Sequence, residues 1–158
     1  WLYNDQVFWL SVFNTLLYTI VASVIKFALG LYLALLLNRN MPFKAMIRAG
    51  NKIRHKRYVW GGGHGDWADK GYDCSGAVSF VLHGAGMLDY ALDSRGFMRW
   101  GSKGRGKWVS IFAAKDHVFM TVAGLRFDTS YITDGDRSGP GWSEYQRPAR
   151  GFRVRNPG

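Results

Sequence analysis

Apolar positions dominate the first third of the chain and then break into short alternating runs, so the pattern predicts two unlike parts. From Val7 to Ile25 there are 19 residues without a charge, enough to cross a hydrocarbon core of about 30 Å. Lys26 interrupts, and "FALGLYLALLLN" carries the apolar run on to Asn38. As one helix, residues 7–38 would be roughly 48 Å long at about 1.5 Å per residue. That length is too great for one upright span and too small for two. It predicts a tilted or interfacial start followed by a single span, with membrane association through residues 7–38. Lys26 is costly in a lone helix unless it faces a protein partner. A buried helix of a soluble core is disfavoured, because too few other long apolar segments exist to surround it. A cleaved signal peptide is disfavoured too, since the apolar region is too long and no basic residues precede it.

Beyond residue 50 the periods shorten. "AGNKIRHKR" reads either as the end of a short amphipathic helix or as a basic linker. The run "GGGHG" supplies positions tolerant of positive φ and close backbone approach. Asp73 to Gly76 open a short apolar helix through His83, which Gly84 or Gly86 ends. "KWVSIFA", "DHVFMTVA", "LRFDTS" and "GFRVR" read as strands, and "TDGDRSGPGW" as a turn-rich stretch. A helix followed by strands predicts an α+β domain. The apolar face of the helix, Val78 with Val81 or Leu82, is expected to pack on the sheet that carries "HVFMTV".

Composition sharpens the division. Residues 1–50 hold two glycines and five charges, against 18 glycines and 27 charges afterwards. The net charge of +10 divides as +3 and +7, so both parts are basic and attract anions in general, without selecting nucleic acid, anionic lipid or wall polymer. The basic stretches "NKIRHKR" and "RPARGFRVR" come with no nucleic-acid-binding motif, so no specific nucleic acid is expected and the stretches read as solvated surface. A single cysteine excludes an intramolecular disulfide. With no CxxC or HExxH spacing, neither a structural zinc nor a metal hydrolase is expected.

Cys74 therefore needs its own explanation. A thiolate is favoured at a helix start, where backbone N–H groups point at it, and becomes a nucleophile beside a base. The alternative is a buried structural thiol, against which its neighbours Tyr72, Asp73, Ser75 and Gly76 speak, since they form a turn and cap instead of a core. Of four histidines, His55 lies among like charges in "RHKR" and His83 ends the cysteine's own helix, as a C-terminal cap would. His64 follows three glycines and could line a cleft. His117 stands at the start of "HVFMTV". If Ala123 and Gly124 form a two-residue turn, Val122 pairs with Leu125, Phe119 with Asp128 and His117 with Ser130, so His117 and Asp128 share one face as diagonal neighbours. An Asp beside an imidazole fixes its tautomer and stabilises the imidazolium.

Two resemblances follow from these segments. "YVWGGGHG", "GYDCSGAVSFVLHGAGML", "DHVFMTVAGLRFDTS" and "GFRVRNPG", over roughly residues 50–158, resemble the NlpC-type family of cell-wall peptidases, which have a papain-like fold with the nucleophile's helix packed on an antiparallel sheet. The resemblance implies Cys74 as nucleophile, His117 as base and Tyr58 beside the thiol. Asp128 takes the third position, where many members have His, Asn or Gln. It further implies a cysteine hydrolase of peptide bonds in peptidoglycan stem peptides, needing no cofactor and acting as a monomer, with Trp60, His64, Asp73 and Ser75 beside Tyr58 as candidate substrate-binding residues. Upstream, "FWLSVFNTLLYTIVASVIKFALGLYLALLLNRNMPFKAMIRA" resembles part of a sugar-type ABC importer permease subunit, with an "N-T-L" start and an "L-A-L-L-L-N-R" end. The domain boundary is accordingly expected between residues 49 and 50, and the alternative reading is a transporter fragment carrying an inert hydrolase-like module. Location is contested within the sequence. Wall substrate lies outside the cell, whereas Arg39, Lys44, Arg48, Lys52, Arg54, Lys56 and Arg57 after the span favour a cytoplasmic C-terminal side, a conflict expected of two unrelated fragments joined.

Overall fold

A computed structural model describes residues 5–38, 41–130 and 138–158. The chain forms two compact units, Trp1–Asn40 and Met41–Gly158.

The first unit is a single helix, α1 (Gln6–Asn38). No residue of its most apolar window is buried, and its length and composition suit a membrane span. Three of its hydroxyls bond within the helix: Ser11 donates to the Val7 carbonyl at 2.8 Å, Thr15 to the Ser11 carbonyl at 2.8 Å and Thr19 to the Thr15 carbonyl at 2.7 Å. This back-bonding removes the need for water along that stripe.

The second unit is α+β. Its elements are α2 (Pro42–Ile53), β1 (Arg57–Tyr58), β2 (Gly71–Tyr72), α3 (Cys74–Gly84), α4 (Ser94–Phe97), β3 (Ser102–Lys103), β4 (Val109–Ala113), β5 (Val118–Val122), β6 (Leu125–Ser130), β7 (Ser138–Ser143) and β8 (Arg153–Asn156). β1 and β2 pair in parallel, while the other six strands form one antiparallel sheet in the order β3-β8-β4-β5-β6-β7.

α2 explains why the compact unit starts at Met41 and not at residue 50 as expected. Pro42 sits where its missing N–H costs nothing, and Met46, Ala49, Gly50 and Ile53 recur at helical spacing on the buried face. The stretch "AGNKI" thus finishes a core helix, and only Arg54 to Arg57 remain as exposed basic chain. Gly50 is required by contact, because a Cβ there would press into the Trp142 indole.

The sheet is covered on both faces. Ala77, Val78, Val81 and Leu82 of α3 join Met46, Ile53, Ile111, Ala113, Val118, Met120, Val122 and Phe127 in one core, as the apolar spacing of α3 predicts. On the other face Phe112 stacks on Phe119 with centroids 4.7 Å apart, and Phe152 meets Phe119 edge-on. A stretch read as turn differs from expectation. Of "TDGDRSGPGW", residues 133–137 lie outside the described residues, and Ser138 onward is strand β7. Pro140 is tolerated because β7 is an edge strand of the sheet.

The hairpin that positions the site has the expected register: Val122 faces Leu125, Thr121 faces Arg126 and Met120 faces Phe127. Ala123 (φ 49°) and Gly124 (φ 88°) are both left-handed, the two-residue turn whose twist suits a hairpin.

Candidate active site

Asp73 builds one wall. Extended at φ −85°, ψ −177°, it caps α3 by accepting the Gly76 N–H on Oδ1 at 2.7 Å. Its Oδ2 accepts the Gly61 N–H at 3.1 Å, and its own N–H donates to the Gly62 carbonyl at 3.2 Å. One carboxylate thus clamps the glycine-rich loop to the helix start. The approach is so close that a Cβ on Gly76 would collide with the Gly62 carbonyl oxygen.

Cys74 follows as the first residue of α3, 7% exposed. His117 stands immediately before β5, where the N-terminus of α3 meets the end of the sheet. Its Nε2 lies 2.9 Å from Asp128 Oδ1, which leaves Nδ1 for the thiol. Burial would push the Cys74 thiol up, but hydrogen bonds from His117, from the Ser94 hydroxyl and from the Val118 N–H outweigh it and hold the group below its ordinary value. Burial would lower His117, but its bonds to Asp128 and then to Cys74 carry it up to about 9. The two shifts run toward the charged forms of both groups, thiolate and imidazolium, with a carboxylate behind the imidazole. All three residues predicted as catalytic are therefore brought together, Asp128 on the same face as His117 by the hairpin register.

The other expected site residues divide. Parallel pairing of Tyr58 with Tyr72, two residues before Cys74, brings Tyr58 to the thiol. Burial raises its phenol first, and negative charge on Cys74 and Asp73 adds to this. Ser75 is buried and donates to Asp73 Oδ1 at 3.0 Å, and His64 Nε2 lies 3.1 Å from both Asp73 Oδ1 and Ser75 Oγ. Asp73 and Ser75 thus engage the protein itself, and His64, partly exposed, closes their cluster. Trp60 projects into solvent at 87% exposure. Beside His64 a cleft of about 200 Å³ is lined by Asp66, Trp67, Asp89 and Tyr90.

Three contributors were not anticipated. Ser94 Oγ lies 3.6 Å from Cys74 Sγ, delivered by α4, whose cap Asp93 accepts the Gly96 N–H at 2.6 Å. The D-x-x-G spacing of "DSRG" signals that cap, but nothing local signals its approach to the thiol. Arg126 and Arg147 both face Asp128. Strand alternation in "LRFDTS" places Arg126 with Asp128, whereas Arg147 comes from a separate loop. Among the described residues no three His, Cys, Asp or Glu side chains are grouped as a metal ion would need.

No protein-family model matches the chain, and no curated protein does.

Proposed function

We propose that residues 41–158 act as a papain-like cysteine hydrolase of the NlpC type, cutting peptide bonds in peptidoglycan stem peptides. The observation that carries the reading is the relay from the Cys74 thiol through His117 to Asp128 at the start of a capped helix. Cys74 attacks the substrate carbonyl, and a C–S bond forms as the carbonyl π electrons move onto oxygen. His117 then protonates the leaving amine as the C–N bond breaks, and water, deprotonated by the same imidazole, releases the acyl group. Asp66 and Asp89 give the adjoining cleft an anionic lining suited to the amino groups that stem peptides carry. The motif set around Tyr58, Asp73-Cys74-Ser75-Gly76 and His117 supports the family, with Asp128 marking a variant third position.

Mass analysis of peptidoglycan digested by the chain tests the proposal. Cleaved stem peptides are expected, lost after alkylation of Cys74 and unaffected by chelators. Activity that survives alkylation overturns the cysteine mechanism. A reactive thiol with no turnover on any wall peptide favours instead an inert module attached to a permease-derived helix.

α1 supports attachment to a membrane. A hydrolase of wall peptides must then face outward, against the basic residues that follow the helix. Protease digestion of intact cells reads the orientation: residues 41–158 are expected to be accessible, and protection would place them in the cytoplasm, away from this substrate.

A further inference from the structure

Asp128 is gripped on all sides. Its side chain is fully buried, and the two oxygens have different partners. Oδ1 accepts from His117 Nε2 at 2.9 Å and from the Ser130 N–H at 3.0 Å, the latter turned inward by a bulge between Asp128 and Ser130. Oδ2 lies 3.7 Å from Arg126 Nε and 3.6 Å from Arg147 Nη1. Those three atoms are buried and have no hydrogen-bond partner among the described residues. Burying the Arg126 guanidinium and one nitrogen of the partly exposed Arg147 against a carboxylate oxygen carries a desolvation cost that loosely made ion pairs repay poorly. One cation would neutralise the carboxylate; two, converging on the same oxygen, restrict its rotation.

Each arginine is itself held. Arg126 is only 1% exposed, and its Nη2 lies 3.5 Å from the Ser130 carbonyl. Arg147 is seated with its guanidinium carbon 6.0 Å from the Phe119 ring centre and 5.7 Å from that of Phe152, a cation–π placement. Phe152 also meets the His117 ring edge-on. The loop that carries Arg147 is thus tied to the imidazole as well as to its carboxylate.

We propose that Arg126 and Arg147 are positioning residues for the hydrolytic reaction, fixing the Asp128 carboxylate through Oδ2 so that Oδ1 stays aimed at His117 Nε2. The inference rests on the hydrolase reading for its catalytic meaning and on the cage alone for its geometry. The ionisable groups that bond to His117 are Cys74 from α3 and Asp128 from β6; both arginines meet Asp128. Two opposite consequences can therefore be told apart. If Arg147 positions the carboxylate, its loss lets Asp128 turn away, the imidazolium is less supported, and the thiolate forms at higher pH. If Arg147 merely draws charge from Asp128, its loss strengthens the imidazolium and the thiolate forms at lower pH.

The test uses the full chain in detergent, with iodoacetamide alkylation of Cys74 followed as a function of pH. Arg147→Gln is expected to move the midpoint up by about half a pH unit or more, in the same direction as Asp128→Asn and by less. Turnover on wall peptides is expected to fall roughly 10- to 100-fold in kcat with KM little changed. A midpoint that moves down, or stays put in a folded variant, overturns the proposal. Should Arg147→Gln fail to fold, Arg147→Lys answers in its place: it retains the charge without the planar fork and is expected to give a smaller shift in the same direction. An unmoved or lowered midpoint there overturns the proposal equally. Absence of wild-type turnover alongside the expected alkylation shifts refutes the hydrolase reading and leaves the cage standing. Wild-type turnover with an unmoved Arg147→Gln profile refutes the cage and leaves the hydrolase.

Discussion

At the residue scale the decisive quantity is the opposite displacement of Cys74 and His117. The thiol lies below its ordinary value and the imidazole is pushed up to about 9, shifts that both favour the charged pair. Activity is therefore expected to rise with pH as Cys74 loses its proton, and to fall through about pH 9 as His117 loses the proton destined for the leaving amine. A pH profile of kcat/KM checks both limbs. Asp128→Asn removes the main partner that raises His117, so the alkaline limb should move to lower pH. Its cost in kcat should be roughly a hundredfold smaller than that of Cys74→Ala, because Asp128 orients the base and forms no bond to substrate. Cys74→Ala should keep the melting temperature near that of the parent, since the helix cap belongs to Asp73.

Two local elements decide whether that geometry forms. The loop-to-helix clamp depends on Asp73 and on the bare Cα of Gly76. Gly76→Ala should destabilise by roughly 1–3 kcal/mol through the forced shift of the Gly62 carbonyl, read as a lower midpoint in denaturant with reduced turnover. The β5–β6 hairpin has the reverse opportunity. Ala123 holds a left-handed φ of 49°, which costs an L-residue roughly 1–2 kcal/mol. Ala123→Asn creates the Asn-Gly pair that this turn favours, and thermal unfolding should show a higher melting temperature with unchanged activity.

Considered whole, the molecule joins an unburied apolar helix to a compact α+β unit whose first helix supplies part of the core. Residues 41–158 without α1 are expected to fold with the melting temperature of the full chain. A chain beginning at residue 50 loses Met46 and Ala49 from the core, and truncations of this kind cost roughly 2–5 kcal/mol per large buried side chain. Parallel thermal unfolding of the two fragments measures the difference. Equal stability would show that α2 adds nothing to the fold.

Much of this was legible in order along the chain. The 19 uncharged residues gave the long helix, the period of "AVSFVL" gave α3, and alternation with a two-residue turn gave a register that put His117 beside Asp128. These are local signals, because helical and strand periods and turn chemistry act between residues a few positions apart. The start of the compact unit was less legible, since "PFKAMIRAGNKI" has an apolar stripe that only its contact with α3 identifies as core. β7 was hidden because proline and glycine read as turn until an edge position makes them acceptable in a strand. Ser94 and Arg147 could not be assigned to the site from sequence, being 20 and 19 positions from Cys74 and Asp128 with no period connecting them. The sequence by itself determined which elements form and which faces are apolar. Only the tertiary structure decided which loops converge on the thiol and the carboxylate, because that convergence is set by packing α2, α3 and the 144–152 segment on opposite faces of one sheet.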